Sequence, residues 1–274
     1  MKNTVPMHKL LLIFLLLAGC STQKQPTQTA KPLILVSIPP YQTLVQQLGG
    51  DAFAVQTVAP SNSDPHSFEP TFSQIVPLKK GVVWFQIGEC FEKKLVPLLT
   101  NTECIDIAAG AGPDRHLWLS PKQLAVQAEI IAKTLSEHYP AEKELIAARL
   151  EKVKQSLTVL DNEVQTQLKD LSARTFVVSH PAFGYFCRDY NCRQLSVEHE
   201  GKEPRPQEIE SLLAEIQTQQ PELAVALPQH NNKGAQAIAE RLHIPVRVID
   251  PYDAEYAGTI RKLADLLVNP YDPE

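Results

Sequence analysis

Three histidines and one aspartate are the residues best suited to chemistry in this sequence: His66, His116, His180 and Asp250. Their separations of 50, 64 and 70 residues match no motif. Their positions are more informative, because each comes just after a segment with strand character. His66 lies in the loop after Phe53–Val58, and His116 in the loop after Cys104–Ile107. His180 directly follows Thr175–Ser179, and Asp250 directly follows Val246–Ile249. In open α/β sheets, ligands sit outside the carboxyl ends of strands. Neutral imidazole nitrogen and carboxylate oxygen suit a tetrahedral zinc ion. Taken singly, a histidine is more often structural or exposed than a ligand, and an aspartate before a proline is a usual helix-cap arrangement. The set of four, at equivalent strand ends, therefore carries the expectation. His199, in Glu198-His199-Glu200, and His230, after Leu227-Pro228-Gln229, are accessory metal-ligand candidates; His138 and His243 read as helix-end residues.

The elements that must position these side chains alternate. Leu33–Ser37, Phe53–Val58, Val82–Gln86 and Cys104–Ile107 read as strands, separated by helical stretches Tyr41–Leu48, Thr71–Lys80 and Phe91–Leu99. The alternation resumes with strands Thr175–Ser179, Gln194–Val197, Leu223–Leu227 and Val246–Ile249, and helices Pro181–Tyr190, Pro206–Gln217, Asn232–Leu242 and Ala254–Val268. This pattern predicts α/β halves with mostly parallel sheets. Between them, Pro121 starts a helix to about Tyr139, and Ala141–Leu171 contains neither Gly nor Pro. Val153, Leu157, Leu160, Val164, Leu168 and Leu171 recur there at spacings of three and four. One amphipathic helix of roughly 30 residues, about 45 Å long, is expected. The boundaries read as an N-terminal lobe at 32–120, a helical segment at 121–171 and a C-terminal lobe at 172–274.

Ahead of the folded part, Lys2 and Lys9 precede a short apolar run, Leu10–Ala18, ending in Leu17-Ala18-Gly19-Cys20. The run is too short to span a bilayer and reads as an export signal over 1–19. Its end looks like the cleavage motif of bacterial lipoproteins, with Cys20 the lipidated residue and 20–31 a polar tether to the membrane. A net charge of −5 with no basic cluster argues against nucleic acid as a partner.

Beyond position, the local sequences resemble a family. Pro65-His66-Ser67-Phe68-Glu69-Pro70-Thr71, Asp114-Arg115-His116-Leu117-Trp118-Leu119-Ser120-Pro121 and Ser179-His180-Pro181-Ala182-Phe183-Gly184-Tyr185-Phe186 resemble three motifs of the metal-binding receptors of bacterial ABC importers, solute-binding protein family 9. Glu200-Gly201-Lys202-Glu203-Pro204 and Asp250-Pro251 extend the likeness, in the same order, from about Leu33 to the C-terminus. The resemblance implies two α/β lobes joined by a rigid long helix, with the metal in the inter-lobe cleft. It implies His66, His116, His180 and Asp250 as ligands, and an ABC permease as partner. His180 stands where zinc-type members have histidine and manganese-type members usually have glutamate, so Zn2+ is the expected cargo, with Mn2+ or Fe2+ as alternatives. A monomer held outside the cytoplasm by its lipid is expected. Two departures stand out: Arg115 and Ser120 replace the usual Pro and Asp of the second motif, and only Ala108–Pro113 stands where many zinc receptors carry a long His/Asp-rich loop.

A zinc hydrolase and a surface adhesin are the other classes consistent with the residues. Against catalysis, there is no His-Glu-x-x-His and no Gly-x-Ser-x-Gly, and a fourth protein ligand would close the coordination sphere. Glu200 or Glu203 would be the available general base. The remaining cysteines, Cys90, Cys104, Cys187 and Cys192, allow three disulfide connectivities. The local pairings Cys90–Cys104 and Cys187–Cys192 each lie within one lobe.

Overall fold

The central strand segments Leu33–Val36, Gly81–Gln86, Thr175–Val178 and Ala224–Ala226 carry consecutive apolar residues, which requires cover on both faces of a sheet. In a computed structural model, which describes residues 30–171, 174–198 and 206–271, the strands form two four-stranded parallel sheets. The first has β1 (Leu33–Val36), β2 (Ala54–Thr57), β3 (Gly81–Gln86) and β4 (Glu103–Asp106) in the order β2-β1-β3-β4. The second repeats this order as β6-β5-β7-β8, from β5 (Thr175–Val178), β6 (Arg193–Ser196), β7 (Ala224–Ala226) and β8 (Val246–Val248). In each, the chain steps to one side of its first strand and then to the other. That reversal opens a crevice beyond the carboxyl ends of the strands.

Side chains alternate across the strands as the pleat demands. Ile34, Val36, Val83 and Phe85 enter a central core, while Leu35 and Trp84 face an outer cluster with Phe91 and Leu95. Phe176 and Val178 enter the same central core, while Val177 joins Ile216 and Ile238 on the far side of the second sheet. One continuous apolar core therefore runs through both lobes. At about 1.5–3 kcal/mol per buried aliphatic or aromatic side chain, pulling the lobes apart would be costly.

The helices are α1 (Pro39–Gly49), α2 (Phe72–Leu78), α3 (Cys90–Leu95), α4 (Pro121–His138), α5 (Lys143–Leu168), α6 (Gly184–Tyr190), α7 (Pro206–Thr218), α8 (Lys233–Leu242) and α9 (Tyr256–Val268). Ile146, Val153, Leu157, Leu160, Val164 and Leu168 form the buried stripe of α5. They pack it against α1 and α4 on one side and α9 on the other. At 26 residues α5 is shorter than expected. A separate 3-10 turn, Pro140–Glu142, precedes it, and Leu171 packs half-buried on the core beyond its end. The expected helix Phe91–Leu99 is likewise split: α3 gives way to the 3-10 turn Val96–Leu98 at Pro97, which has no N–H to continue the ladder. No helix of the described residues is long and apolar enough to cross a membrane. Residues 1–29, with the expected signal, Cys20 and most of the tether, lie outside the described residues, as does His199.

Neither expected disulfide is formed, since all four cysteines are free. Cys90 is exposed at the start of α3, whereas the Cys104 sulfur turns toward the carbonyl of Thr102 at 3.8 Å. Cys187 and Cys192 are neighbours across the end of α6, where the left-handed Asn191 reverses the chain. Their thiols are hydrogen-bonded to each other, which together with burial raises the Cys187 pKa.

Candidate metal centre

His66 sits in the loop after β2. Its amide donates to Asp64 Oδ1 at 2.9 Å, and its Nδ1 meets Glu89 Oε2 at 3.0 Å. Glu89 belongs to the turn between β3 and α3, which a second carboxylate holds in shape. Glu92, almost fully buried, accepts the amides of Ile87 at 2.9 Å, Gly88 at 2.8 Å and Glu89 at 3.0 Å, and the hydroxyl of Ser37. A carboxylate with several N–H donors can stay buried where an unpaired one could not. Burial still raises the Glu92 pKa against these bonds.

His116 follows β4, and Asp114 Oδ1 takes both its amide at 2.9 Å and its Nδ1 at 2.8 Å. The second lobe presses on this turn. Tyr185 Oη donates to the Asp114 carbonyl at 3.2 Å, and at Gly184 a side chain would collide with the Asp114 carboxylate. Two residues on, Trp118 Nε1 donates to the Pro251 carbonyl at 2.6 Å and ties the turn to the loop after β8. The two replaced residues of the second motif are engaged elsewhere, though Arg115 also lines the cleft. Ser120 caps α4 by accepting from Gln123 N and donates to Asp189 at 2.5 Å. Arg115 packs over Gly88 and reaches the Ala108 carbonyl at 3.4 Å. His180 ends β5, and its Nδ1 meets Glu198 Oε2 at 3.0 Å.

Each imidazole is thus backed by a carboxylate at Nδ1. That partner fixes the tautomer that carries its proton on Nδ1 and leaves Nε2 as an acceptor. The Nε2 atoms converge: His66 to His180 is 3.1 Å, and His180 to His116 is 3.3 Å. Two nitrogens bound at about 2.0–2.1 Å on a tetrahedral zinc lie roughly 3.3–3.4 Å apart, so the spacing fits one ion among the three. The set opens into a cleft of about 610 Å³ that also takes in Glu89, Asp114 and Glu198.

The fold shifts its buried histidines in opposite directions. Burial pushes His180 down to about 2, helped by His116, His230 and His66. Burial also lowers His230 to about 4. For His66, burial lowers the pKa, but Glu89, Asp64 and Glu198 outweigh it and the net shift is upward. As pH falls below about 6.5, an unfolded histidine takes a proton that folded His180 and His230 refuse, so their contribution to stability is lost on acidification. His66 contributes in the opposite sense, since its raised pKa favours the fold below 6.5. With two lowered groups against one raised, chelator-treated protein is expected to be less stable to urea at pH 5.5 than at pH 7.5, by on the order of 1 kcal/mol. A flat profile would show that the buried imidazoles accept protons without cost.

The fold brings His66, His116 and His180 together and leaves Asp250 outside that group. Asp250 Oδ1 accepts Gln229 Nε2 at 2.9 Å and the Tyr252 amide at 2.8 Å, and burial raises its pKa. His230, by contrast, stacks on His180 with ring centroids 4.3 Å apart and planes 8° from parallel. The carboxylates Glu89, Asp114 and Glu198 were missed as functional residues. Asp114 and Glu89 had a usable signal, since each lies beyond the end of a strand next to a candidate ligand or turn.

Residues 34–269 match the family described as zinc-uptake complex component A, periplasmic, or ZnuA. A Chlamydia muridarum protein named for metal binding is 30% identical over 257 residues, covering 89% of this chain and 90% of its own. The metal ABC transporter substrate-binding lipoprotein ScbA of Streptococcus cristatus is 25% identical over 269 residues, 86% of each chain. The crystal structure of a ZnuA deletion mutant with zinc bound superposes with a TM-score of 0.82 at 32% identity, covering 89% of this chain and 99% of that one.

Proposed function

The chain belongs to the ZnuA family of periplasmic zinc-uptake components, and from that premise we propose that it captures zinc outside the cytoplasm and delivers it to an ABC permease. The observation that carries this reading is the convergence of three Nε2 atoms at tetrahedral spacing, each imidazole backed by its own carboxylate. His66 and His116 would supply two ligands from the first lobe and His180 one from the second. An all-nitrogen triad suits zinc better than manganese, which favours oxygen. Deprotonated, pre-oriented ligands lower the cost of capture, because little needs rearranging when the ion arrives.

The family binds solutes and does no chemistry on them, and the carboxylates described beside the triad, Glu89, Asp114 and Glu198, each hold an imidazole Nδ1. On this reading the cargo is carried without turnover. The core shared by both lobes argues against wide lobe opening on release. Displacement of the Glu198 carboxylate from His180 Nδ1 would loosen one ligand without parting the lobes. Lipidation at Cys20 would hold the receptor near its permease, as the name of the ScbA relative suggests for that protein.

Competitive titration of chelator-stripped protein with zinc, manganese and ferrous ions, with bound metal read by elemental analysis, tests the cargo. One zinc per chain that excess manganese fails to displace is expected. Manganese retained in the presence of equimolar zinc would overturn the assignment.

A further inference from the structure

Three nitrogens leave one corner of a tetrahedron open. We propose that His230 supplies the fourth ligand and makes this an all-imidazole site, a proposal that rests on the metal-receptor reading above. Asp250, expected from the sequence to fill the corner, has its Oδ1 committed to Gln229 and the Tyr252 amide and lies outside the gathered donors. Glu198 already holds the Nδ1 of His180.

His230 has the opposite properties. Its turn, between β7 and α8, is fixed by Asn232, whose side chain accepts the Leu227 amide at 2.9 Å and donates to the carbonyls of Leu227 at 2.9 Å and His230 at 3.0 Å. The backbone that carries the ring is therefore set. A ring nitrogen of His230, one of His180 and a Glu198 oxygen all lie within 4.8 Å of one another. The ring centroid is 6.3 Å from that of His66. Most telling, His230 Nε2 is buried and has no hydrogen-bond partner. A buried polar nitrogen left unpaired costs about 1–3 kcal/mol, a penalty a metal bond would remove. The parallel stack on His180 means the ring must turn about its side-chain bonds to bring Nε2 to the ion, with no change of backbone. If His230 only packs against His180 and Tyr252, a phenyl ring would serve as well, and that distinction decides the test.

Full-length protein carrying His230→Phe, His230→Gln or Asp250→Asn is titrated with zinc against a chromophoric chelator and with cobalt, whose visible bands report donor type and number. Both His230 variants are expected to bind zinc roughly tenfold to hundredfold more weakly. Their cobalt bands should shift and weaken as a nitrogen is lost, and Asp250→Asn should have the smaller effect. Circular dichroism and melting of the metal-free variants check that the fold is kept. Wild-type affinity and an unchanged cobalt spectrum in both His230 variants would overturn the proposal, as would a larger loss in Asp250→Asn. Wild-type protein that binds no zinc would instead defeat the receptor reading itself.

Discussion

Replacing His116 with alanine is expected to weaken zinc binding by about a hundredfold or more while leaving the fold intact. A tightly held structural zinc is worth roughly 10–16 kcal/mol, so an even share over four ligands is about 2.5–4 kcal/mol each. His116 should reach at least that share, because it is the most constrained of the triad. Only 4% exposed, it is held by Asp114 at both amide and ring. Its turn is clamped from the second lobe by Tyr185 and by the Trp118–Pro251 hydrogen bond. A free ring could be replaced by a water at modest cost, whereas a pre-oriented one takes its orientation with it. Competition against a chelator of known affinity gives the measurement. His138→Ala is the control, since that side chain pairs with Glu103 at 3.0 Å on the helical side of the first lobe. An affinity within threefold of wild type for His116→Ala would remove the triad as the binding site.

Zinc itself is expected to raise the melting temperature of the chelator-stripped protein by roughly 8–16 °C at saturation. On the proposed reading the ion would bind ligands from both lobes, which come together only in the folded chain, and would stabilise the native state selectively. At a free concentration a thousandfold above Kd, this linkage is worth about 4 kcal/mol. A domain of this size shifts by about 2–4 °C per kcal/mol. The melting temperature should keep rising with the logarithm of free zinc and return to its starting value on chelation. A shift of no more than about 1 °C would mean that the ion does not engage both lobes in the native state.

The local structure was largely legible in the sequence because its causes are local. Short strand-like segments separated by helical periods, most apolar in β1, β3, β5 and β7, set the eight strands among the described residues and their order along the chain. The stripe from Val153 to Leu168 gave α5 its buried face. The errors were local as well: at Pro97 the missing N–H of a proline was given too little weight, and α5 begins only after the 3-10 turn Pro140–Glu142.

The site divides along the same line. That His66, His116 and His180 would lie beyond strand ends followed from periodicity alone, since a strand's carboxyl end is fixed by its own residues. Which donors converge did not follow, because convergence depends on strand order within each sheet and on the seating of one sheet against the other. Glu89 stands 23 residues from His66 and Glu198 stands 18 from His180, so only folding makes them partners. Asp250 was expected to point at the ion. A hydrogen bond to an amide two residues along its own chain, and another to Gln229, occupy one of its oxygens instead. His230, an accessory candidate in the sequence, was brought by packing to within stacking distance of His180. The sequence by itself determined the elements and the chemistry available at their ends. The tertiary structure decided which of those groups share one point in space, because side chains distant along the chain meet only when a common core has fixed the sheets that carry them.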